Sequence, residues 1–144
     1  MKYLNKKSSA VLQKLIDCMS DPAYAKTMGS FAKIEKSDSC FMPVSIEKLH
    51  HIPTFDNHIA VSHTYVENGD LMRDPEMEFV SKEWKFHPIS FHQDNMGIRQ
   101  EVFEYSDVDG RPVKYNPSLL NDLVEFANMW MLNINEQQEL GVEV

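Results

Sequence analysis

The clearest pattern of apolar and polar positions is an alternation over residues 58–80, HIAVSHTYVENGDLMRDPEMEFV. Such alternation is typical of β-strands with one buried face. Asn68 and Gly69 divide the stretch, and this pair is preferred in a two-residue type I′ turn because both positions need a positive φ. The sequence therefore predicts a β-hairpin over residues 59–80.

The register of this hairpin requires one irregularity. Counting back regularly from the turn pairs Val61 with Glu76, which places an apolar residue and a carboxylate on the same face. One extra residue in the second strand exchanges the faces, so that Val61 pairs with Met77 instead. Pro75 has no N–H to donate to a neighbouring strand, so we predict a β-bulge at Asp74-Pro75.

The remaining apolar patterns predict two helices and several further strands. These elements are helices at residues 9–19 and 117–138 and strands at residues 31–36, 41–49, 84–91, 98–105 and 111–115. Ser8 or Ser9 is expected to cap the first helix, and Asn116 with Pro117 to begin the second. Residues 37–39 are expected to form a turn.

This order of elements indicates the fold class. Consecutive strands joined by short turns are typical of an antiparallel meander. We therefore predict an α+β fold, with a sheet of about five to six strands and with the N-terminal helix and the long C-terminal helix packed on one face. We expect one domain over residues 1–144, a length that can bury a sizeable core.

Two segments of the chain resemble a known family. The segments HIAVSHTYVENGDLMRDPEMEF and HPISFHQDNMGIRQEVFEY, with the pattern NGDLMRDPEMEF, resemble a family of small uncharacterised bacterial proteins. Members occur largely on plasmids, conjugative elements and phages, and the resemblance covers roughly residues 31–105. It implies a cytoplasmic protein carried on mobile elements and implies no activity.

Charge is distributed unevenly along the chain. Residues 1–58 contain 8 Lys and 6 acidic residues, whereas residues 59–144 contain 6 Lys and Arg and 16 acidic residues. An acidic excess opposes binding to nucleic acid, since that binding depends on Lys and Arg neutralising phosphates. We interpret the acidic half mainly as a surface for solubility. The alternatives are a basic protein partner and mimicry of nucleic acid.

The chain has no feature that predicts a membrane or secreted location. No apolar run approaches the ~20 residues that a membrane helix needs, and the N-terminus lacks the apolar region of a signal peptide. Cys18 and Cys40 are far apart and show no metal-binding spacing, so free thiols are expected. These observations favour a cytoplasmic protein.

The predicted bulge would bring four polar residues together: His63, Asp70, Asp74 and Glu76. One imidazole and several carboxylates can hold a divalent metal that activates water. The alternative, which we favour, is structural: Asp70 closes the turn, Asp74 bonds to the bulge backbone and His63 is a satisfied strand residue. We therefore expect neither a metal nor another cofactor.

Other chemical motifs are weaker. Asp74-Pro75 followed by Glu83-Trp84-Lys85 resembles the acid and acid-x-Lys arrangement of magnesium-dependent nucleases, but so short a pattern often arises by chance. The remaining histidines show neither zinc-helix spacing nor a cysteine partner, which favours structural or surface roles. They are His50, His51, His58, His87 and His92.

No strong catalytic motif is present, since the chain lacks a P-loop, a dinucleotide fingerprint and a nucleophile elbow. We therefore expect an accessory or binding protein that acts through contacts with a protein partner. One alternative is a metal-dependent hydrolase or nuclease centred on His63, Asp70 and Asp74. The other is an acidic decoy that occupies a nucleic-acid-binding protein.

Overall fold

Two α-helices and nine β-strands make up the fold in a computed structural model that describes residues 1–36 and 40–143. In chain order they are α1 (Lys6–Cys18), β1 (Ala25–Thr27), β2 (Phe31–Ile34), β3 (Val44–Lys48), β4 (Asn57–Glu67), β5 (Asp70–Lys82), β6 (Lys85–Gln93), β7 (Ile98–Glu101), β8 (Phe103–Tyr105), β9 (Pro112–Tyr115) and α2 (Pro117–Gln137). One 3-10 turn, Asp94–Met96, separates β6 from β7. The predicted turn at residues 37–39 lies outside the described residues.

Strands β1 to β7 form one sheet in which spatial order equals chain order and every neighbouring pair is antiparallel. Strands β8 and β9 form a separate two-stranded sheet. The predicted α+β class with an antiparallel meander is confirmed. The main sheet has seven strands instead of five or six, because β1 was not predicted. The predicted strand over 98–105 is divided between the two sheets.

That division occurs at Val102, which is buried. Its N–H donates to the carbonyl of Ile89 in β6, and its carbonyl accepts from the N–H of Asn116 in front of α2. A residue whose two backbone groups bond to different elements cannot continue a straight strand. The chain therefore leaves the main sheet at this point, which is a long-range effect that alternation alone does not reveal.

The central hairpin of β4 and β5 has the predicted turn and the predicted bulge. Asn68 and Gly69 have φ values of 52° and 84°, as a type I′ turn requires. Val61 pairs with Met77, and His63 alone lies opposite two residues of β5, Asp74 and Pro75. The extra residue in β5 is therefore where the sequence predicted it.

The core lies between one face of the sheet and the two helices. Phe126 and Trp130 of α2 reach the sheet, where their rings lie 5.3 Å and 5.5 Å from those of Phe91 and His63. Apolar side chains of α1 join the same cluster of buried residues. No helix in the described part of the chain combines the length and apolar character needed to cross a bilayer.

Helix α1 begins earlier than predicted because its cap is Asn5, not Ser8 or Ser9. The Asn5 side chain accepts a hydrogen bond from the backbone N–H of Ser8 at 2.9 Å, which satisfies one of the free donors at a helix start. The Ser8 hydroxyl instead donates to the carbonyl of Asn128 at 3.0 Å and joins α1 to α2. For α2, the predicted start at Asn116 and Pro117 is confirmed.

The strand predicted over 84–91 occupies Lys85–Gln93 instead. Glu83 and Trp84 have positive φ values of 51° and 68° and form the two-residue turn between β5 and β6. The remaining boundary differences are small: the structure has Phe31–Ile34 for 31–36, Val44–Lys48 for 41–49, and a helix end at Gln137 instead of 138.

Replacing Trp130 by Ala tests the helix–sheet core. Trp130 is 4% exposed, and its indole N–H has no hydrogen-bond partner among the described residues, so its contribution is packing. We expect Trp130→Ala to lower the free energy of unfolding by about 3–5 kcal/mol, measured by urea denaturation. The matched control is the adjacent Met129→Ala, which should cost less than about 1 kcal/mol because Met129 is 52% exposed. Equal losses for the two variants would contradict this packing.

Candidate functional site

The face of the main sheet opposite the helices, here called the open face, carries mostly polar side chains. Because successive strand residues point to opposite sides, Ser62 and Glu76 face away from the side occupied by Val61 and Met77. Two grooves of about 430 and 370 Å³ lie on the open face. Its central residues, aligned by strand pairing, are Ser45, Glu47, Ala60, Ser62, Glu76, Glu78, Ser90, His92, Arg99 and Glu101.

A buried ion pair lies at one end of the open face. His58 Nε2 lies 2.7 Å from Glu78 Oε1, and the other ring nitrogen lies 2.9 Å from the carbonyl of His50. A carbonyl and a carboxylate both accept hydrogen bonds, so both ring nitrogens must donate and the imidazole is positively charged. The second Glu78 oxygen accepts from the Ser90 hydroxyl at 2.8 Å. Both oxygens of Glu78 are thus held in place.

The pKa values of this pair agree with its geometry. Burial alone would lower the pKa of His58, but the hydrogen bonds with Glu78 and the His50 carbonyl outweigh it, so the pKa of His58 is raised. The hydrogen bond from His58 lowers the pKa of Glu78. The two groups are therefore charged together over a wide range of pH.

The second polar group on the open face is centred on His92. Its Nδ1 lies 3.5 Å from Glu76 Oε1, and its Nε2 lies 3.6 Å from Glu101 Oε1. A separation of 3.6 Å is too long for a hydrogen bond, and Nε2 is buried without a hydrogen-bond partner in the described chain. Burial raises the pKa of Glu76. This group is therefore buried and incompletely hydrogen-bonded.

These side chains come close enough to ligate one ion. Glu78, His92 and Glu101 each offer a ligand atom within 4.8 Å of the other two. Nearby, burial and the charges of Glu101 and Glu78 raise the pKa of Tyr105 to about 12. We refer to Glu76, Glu78, His92 and Glu101 as the carboxylate–histidine cluster.

The structure does not bring all four residues that the sequence grouped around the bulge to one face of the sheet. His63 faces the helices: its Nδ1 lies 3.4 Å from the Pro43 carbonyl, and burial lowers its pKa. Glu76 belongs to the open face, so the predicted grouping of His63 with Glu76 is wrong. The reason is strand geometry, since Glu76 pairs with Ser62, and residues 62 and 63 point to opposite faces.

The two aspartates of that group lie at different places along β5. Asp70 is exposed beside the turn and pairs with Glu67. Asp74 lies in the bulge, where its Oδ1 is buried without a hydrogen-bond partner among the described residues. The nuclease-like pattern is also not assembled, because Asp74 lies within β5 whereas Glu83 lies just beyond its end, up to ~30 Å further along at ~3.3 Å per residue.

Sequence reasoning missed His92 as a site residue, although a signal was present. Glu76 and Glu78 are two residues apart, as are Ser90 and His92 and also Arg99 and Glu101. Polar residues at that spacing share one face of a strand. What the sequence did not reveal was the register shift between Glu78 and Phe79, which aligns the three pairs across β5, β6 and β7.

A further groove, here called the Trp84 groove, lies at the β5–β6 turn and measures about 470 Å³. Its lining is aromatic and basic, and includes Tyr3, Phe55, Lys82, Lys85, Lys114 and Tyr115. Trp84 lies between two residues that line it, Glu83 and Lys85, and is 89% exposed. The sequence pattern predicted a strand that begins at Trp84, and that prediction concealed its exposure.

Comparison with known proteins identifies a family. The model of a domain of unknown function, DUF6908, matches residues 12–140, which include both the carboxylate–histidine cluster and most of the Trp84 groove. The chain belongs to the DUF6908 family. Neither a curated protein nor a solved structure matches it. The match is consistent with the expected membership of an uncharacterised family, and it assigns no residue of this DUF6908 protein to a site.

The pH dependence of stability tests the His58–Glu78 pair. A histidine whose pKa is raised in the folded state contributes its full stabilisation at pH values below its ordinary pKa of 6.5. That stabilisation is lost as the pH rises through the pKa of the folded state. Removing one partner of a buried pair costs about 3 kcal/mol. We therefore expect His58→Gln to lower the free energy of unfolding by about that amount at pH 6, and by less as the pH rises towards 9, measured by urea denaturation.

His87→Gln is the matched control, because the stability that it removes should change with pH in the opposite direction. Burial lowers the pKa of His87, whose Nδ1 donates to the Lys2 carbonyl at 2.7 Å. The wild-type protein therefore loses stability through His87 as pH falls below 6.5, so the loss caused by His87→Gln should shrink towards acid pH. Parallel pH profiles for the two variants would contradict the assigned charge states.

Proposed function

We propose that this protein is a binding protein that acts through protein–protein contacts, with the Trp84 groove as its contact surface. The observation that carries the proposal is the 89% exposure of Trp84 at a hairpin tip. Tryptophan is enriched among the few residues that supply most of the energy of protein interfaces. A side chain of that size left in water gains most when a partner covers it.

The backbone at the tip supports the same conclusion. Glu83 and Trp84 both have positive φ, a region that side chains other than Gly and Asn rarely adopt. The other long hairpin of this chain meets the same requirement with Asn68-Gly69. Such strain, of the order of 1–3 kcal/mol per residue, is characteristic of functional positions. Trp84 is thus displayed where a turn alone would favour Gly.

The charge of the groove indicates the chemistry of the partner. Lys82, Lys85 and Lys114 line it, and they are three of the six Lys and Arg residues in the otherwise acidic segment 59–144. Among the described residues that line the groove, Glu83 is the only acidic one. We propose that the partner offers an acidic segment with apolar side chains, because opposite charges and a covered tryptophan together give specificity.

The other functions suggested by the sequence have less support. A hydrolase centred on His63, Asp70 and Asp74 lacks the assembled side chains. The acidic decoy is weakened because part of the acidic charge, on Glu76 and Glu78, is turned towards histidines of the protein itself. The proposed setting, bacterial cytoplasm and mobile elements, rests on the sequence resemblance.

The proposal is tested by comparing variants as baits and then measuring affinity. A protein captured from a bacterial lysate by the wild type should be purified and titrated by calorimetry. We expect Trp84→Ser to weaken that binding by about 30-fold, the ~2 kcal/mol typical of an interface hot spot. Lys85→Glu should weaken the binding of the partner more than Trp84→Ser does. Neither change should alter the free energy of unfolding by more than about 1 kcal/mol, because both residues are exposed and Lys85 makes only an exposed cation–π contact with Tyr3.

The matched control is Val108→Ser, which changes another exposed apolar loop residue away from the groove. It should bind the partner as the wild type does. A single-stranded oligonucleotide, tested in parallel, should not bind, given the acidic excess of residues 59–144. Unchanged affinity of Trp84→Ser, or oligonucleotide binding that this variant abolishes, would overturn the proposal.

A further inference from the structure

We propose that the carboxylate–histidine cluster binds one divalent transition-metal cation of the zinc type, with Glu78, His92 and Glu101 as ligands and Glu76 as the residue that positions His92. This site is independent of the Trp84 groove. It also differs from the metal site that the sequence suggested, because neither His63 nor the aspartates near the bulge take part.

The strongest observation is the state of His92. Its side chain is only 10% exposed, and its Nε2 is buried with no hydrogen-bond partner among the residues described. Leaving a buried polar atom unpaired costs of the order of 1–3 kcal/mol. The same atom faces Glu101 at a distance that is too long for a hydrogen bond. A cation bound between Nε2 of His92 and Oε1 of Glu101 would give both atoms a partner.

The distances fit such a cation. Zinc ligands at ~2.1 Å in a tetrahedron lie about 3.4 Å from one another, and His92 Nε2 lies 3.6 Å from Glu101 Oε1. One oxygen of Glu78 completes a set of three ligand atoms that all lie within 4.8 Å of one another. Only small side-chain movements are therefore needed, and Glu101 is free to make them because it is 46% exposed.

Residues around the ligands hold them in the required orientation. Glu76 faces the other ring nitrogen of His92, so a proton on Nδ1 would leave Nε2 free to bind the metal. His58 and Ser90 each donate to one oxygen of Glu78 and leave each oxygen a further lone pair. This pattern, a carboxylate behind a ligating histidine and donors behind a ligating carboxylate, is common at metal sites.

The ligand set indicates which cation binds. One imidazole and two carboxylates suit zinc or cobalt better than calcium or magnesium, which prefer oxygen ligands alone. Arg99 approaches Glu101 at 4.0 Å, but its side chain is 76% exposed and can move away. Three protein ligands leave the fourth position of a tetrahedron for water or for an anionic group of a ligand in the adjoining 370 Å³ groove.

Titration of the full chain with Zn²⁺ and Co²⁺, after removal of metal by a chelator, tests the site. We expect calorimetry to show one cation per chain, and thermal unfolding to shift to higher temperature, because the cation binds the folded state. Glu101→Gln should weaken binding at least ten-fold, and Glu76→Gln about ten-fold through the orientation of His92. Bound Co²⁺ should also give visible absorption that Glu101→Gln removes.

Two controls separate this site from other binding. Glu104→Gln changes an exposed glutamate outside the cluster and should leave the affinity unchanged. Cys40→Ser removes an exposed thiol that could itself bind zinc, and it should also have no effect. The proposal is overturned if the wild type binds neither cation, if Glu101→Gln binds as tightly as the wild type, or if Cys40→Ser abolishes binding.

Failure here is distinguishable from failure of the proposed contact surface. Trp84→Ser should keep the full metal affinity, since Trp84 lies outside the cluster. Glu101→Gln should keep the partner affinity, since Glu101 does not line the Trp84 groove. Trp84→Ser is therefore the control variant in the metal titration, and Glu101→Gln is the control variant in the partner titration.

Discussion

The one-residue bulge at Asp74-Pro75 is the constraint on which the rest of the sheet depends. It changes the parity of β5, so that Met77 and Phe79 face the helices and Glu76 and Glu78 face the other way. Without it, the longest strand would direct carboxylates into the apolar core, where an unpaired charge is very costly. The core and the open face are therefore two consequences of one irregularity.

Burial of charge on the open face then requires compensation. Glu78 obtains it directly, because His58 and Ser90 donate to both of its oxygens. Glu76 and His92 are buried to a similar degree but lie at 3.5 Å, and the far nitrogen of His92 has no hydrogen bond within the described chain. The two neighbouring groups thus differ: each oxygen of Glu78 accepts a hydrogen bond, whereas Nε2 of His92 makes none in the described chain. That asymmetry, and not the number of acids, distinguishes a candidate site from a solvated surface.

What the sequence predicted correctly was determined locally. The Asn68-Gly69 turn, the bulge at a proline and the start of α2 at Asn116 each follow from a few adjacent residues. The errors came from long-range contacts. Ser8 or Ser9 was expected to cap α1, but the Ser8 hydroxyl bonds to α2, 120 residues away, and Asn5 is the cap.

The candidate site was missed for the same reason. His92 becomes a site residue only through its alignment with Glu76 and Glu101 on two neighbouring strands, and that alignment depends on a second register shift near Phe79. Single-sequence alternation reveals which residues share a face of one strand. It does not reveal which residues of three strands meet, and this is why the sequence grouped His63 with Glu76 although they lie on opposite faces.

The two proposed sites use strands β5 and β6 in different ways. At the turn, the strands display Trp84 in water at the expense of backbone strain, and such exposure has a benefit only when another surface covers it. Within the sheet, the same strands bury Glu76 and His92, and Nε2 of His92 has no hydrogen-bond partner among the described residues. A partly satisfied polar network in a region of low dielectric is less stable than either an apolar surface or a complete network. A cation completes the network without moving the strands, because the ligands and the residues behind them are already held by the pairing of β5, β6 and β7.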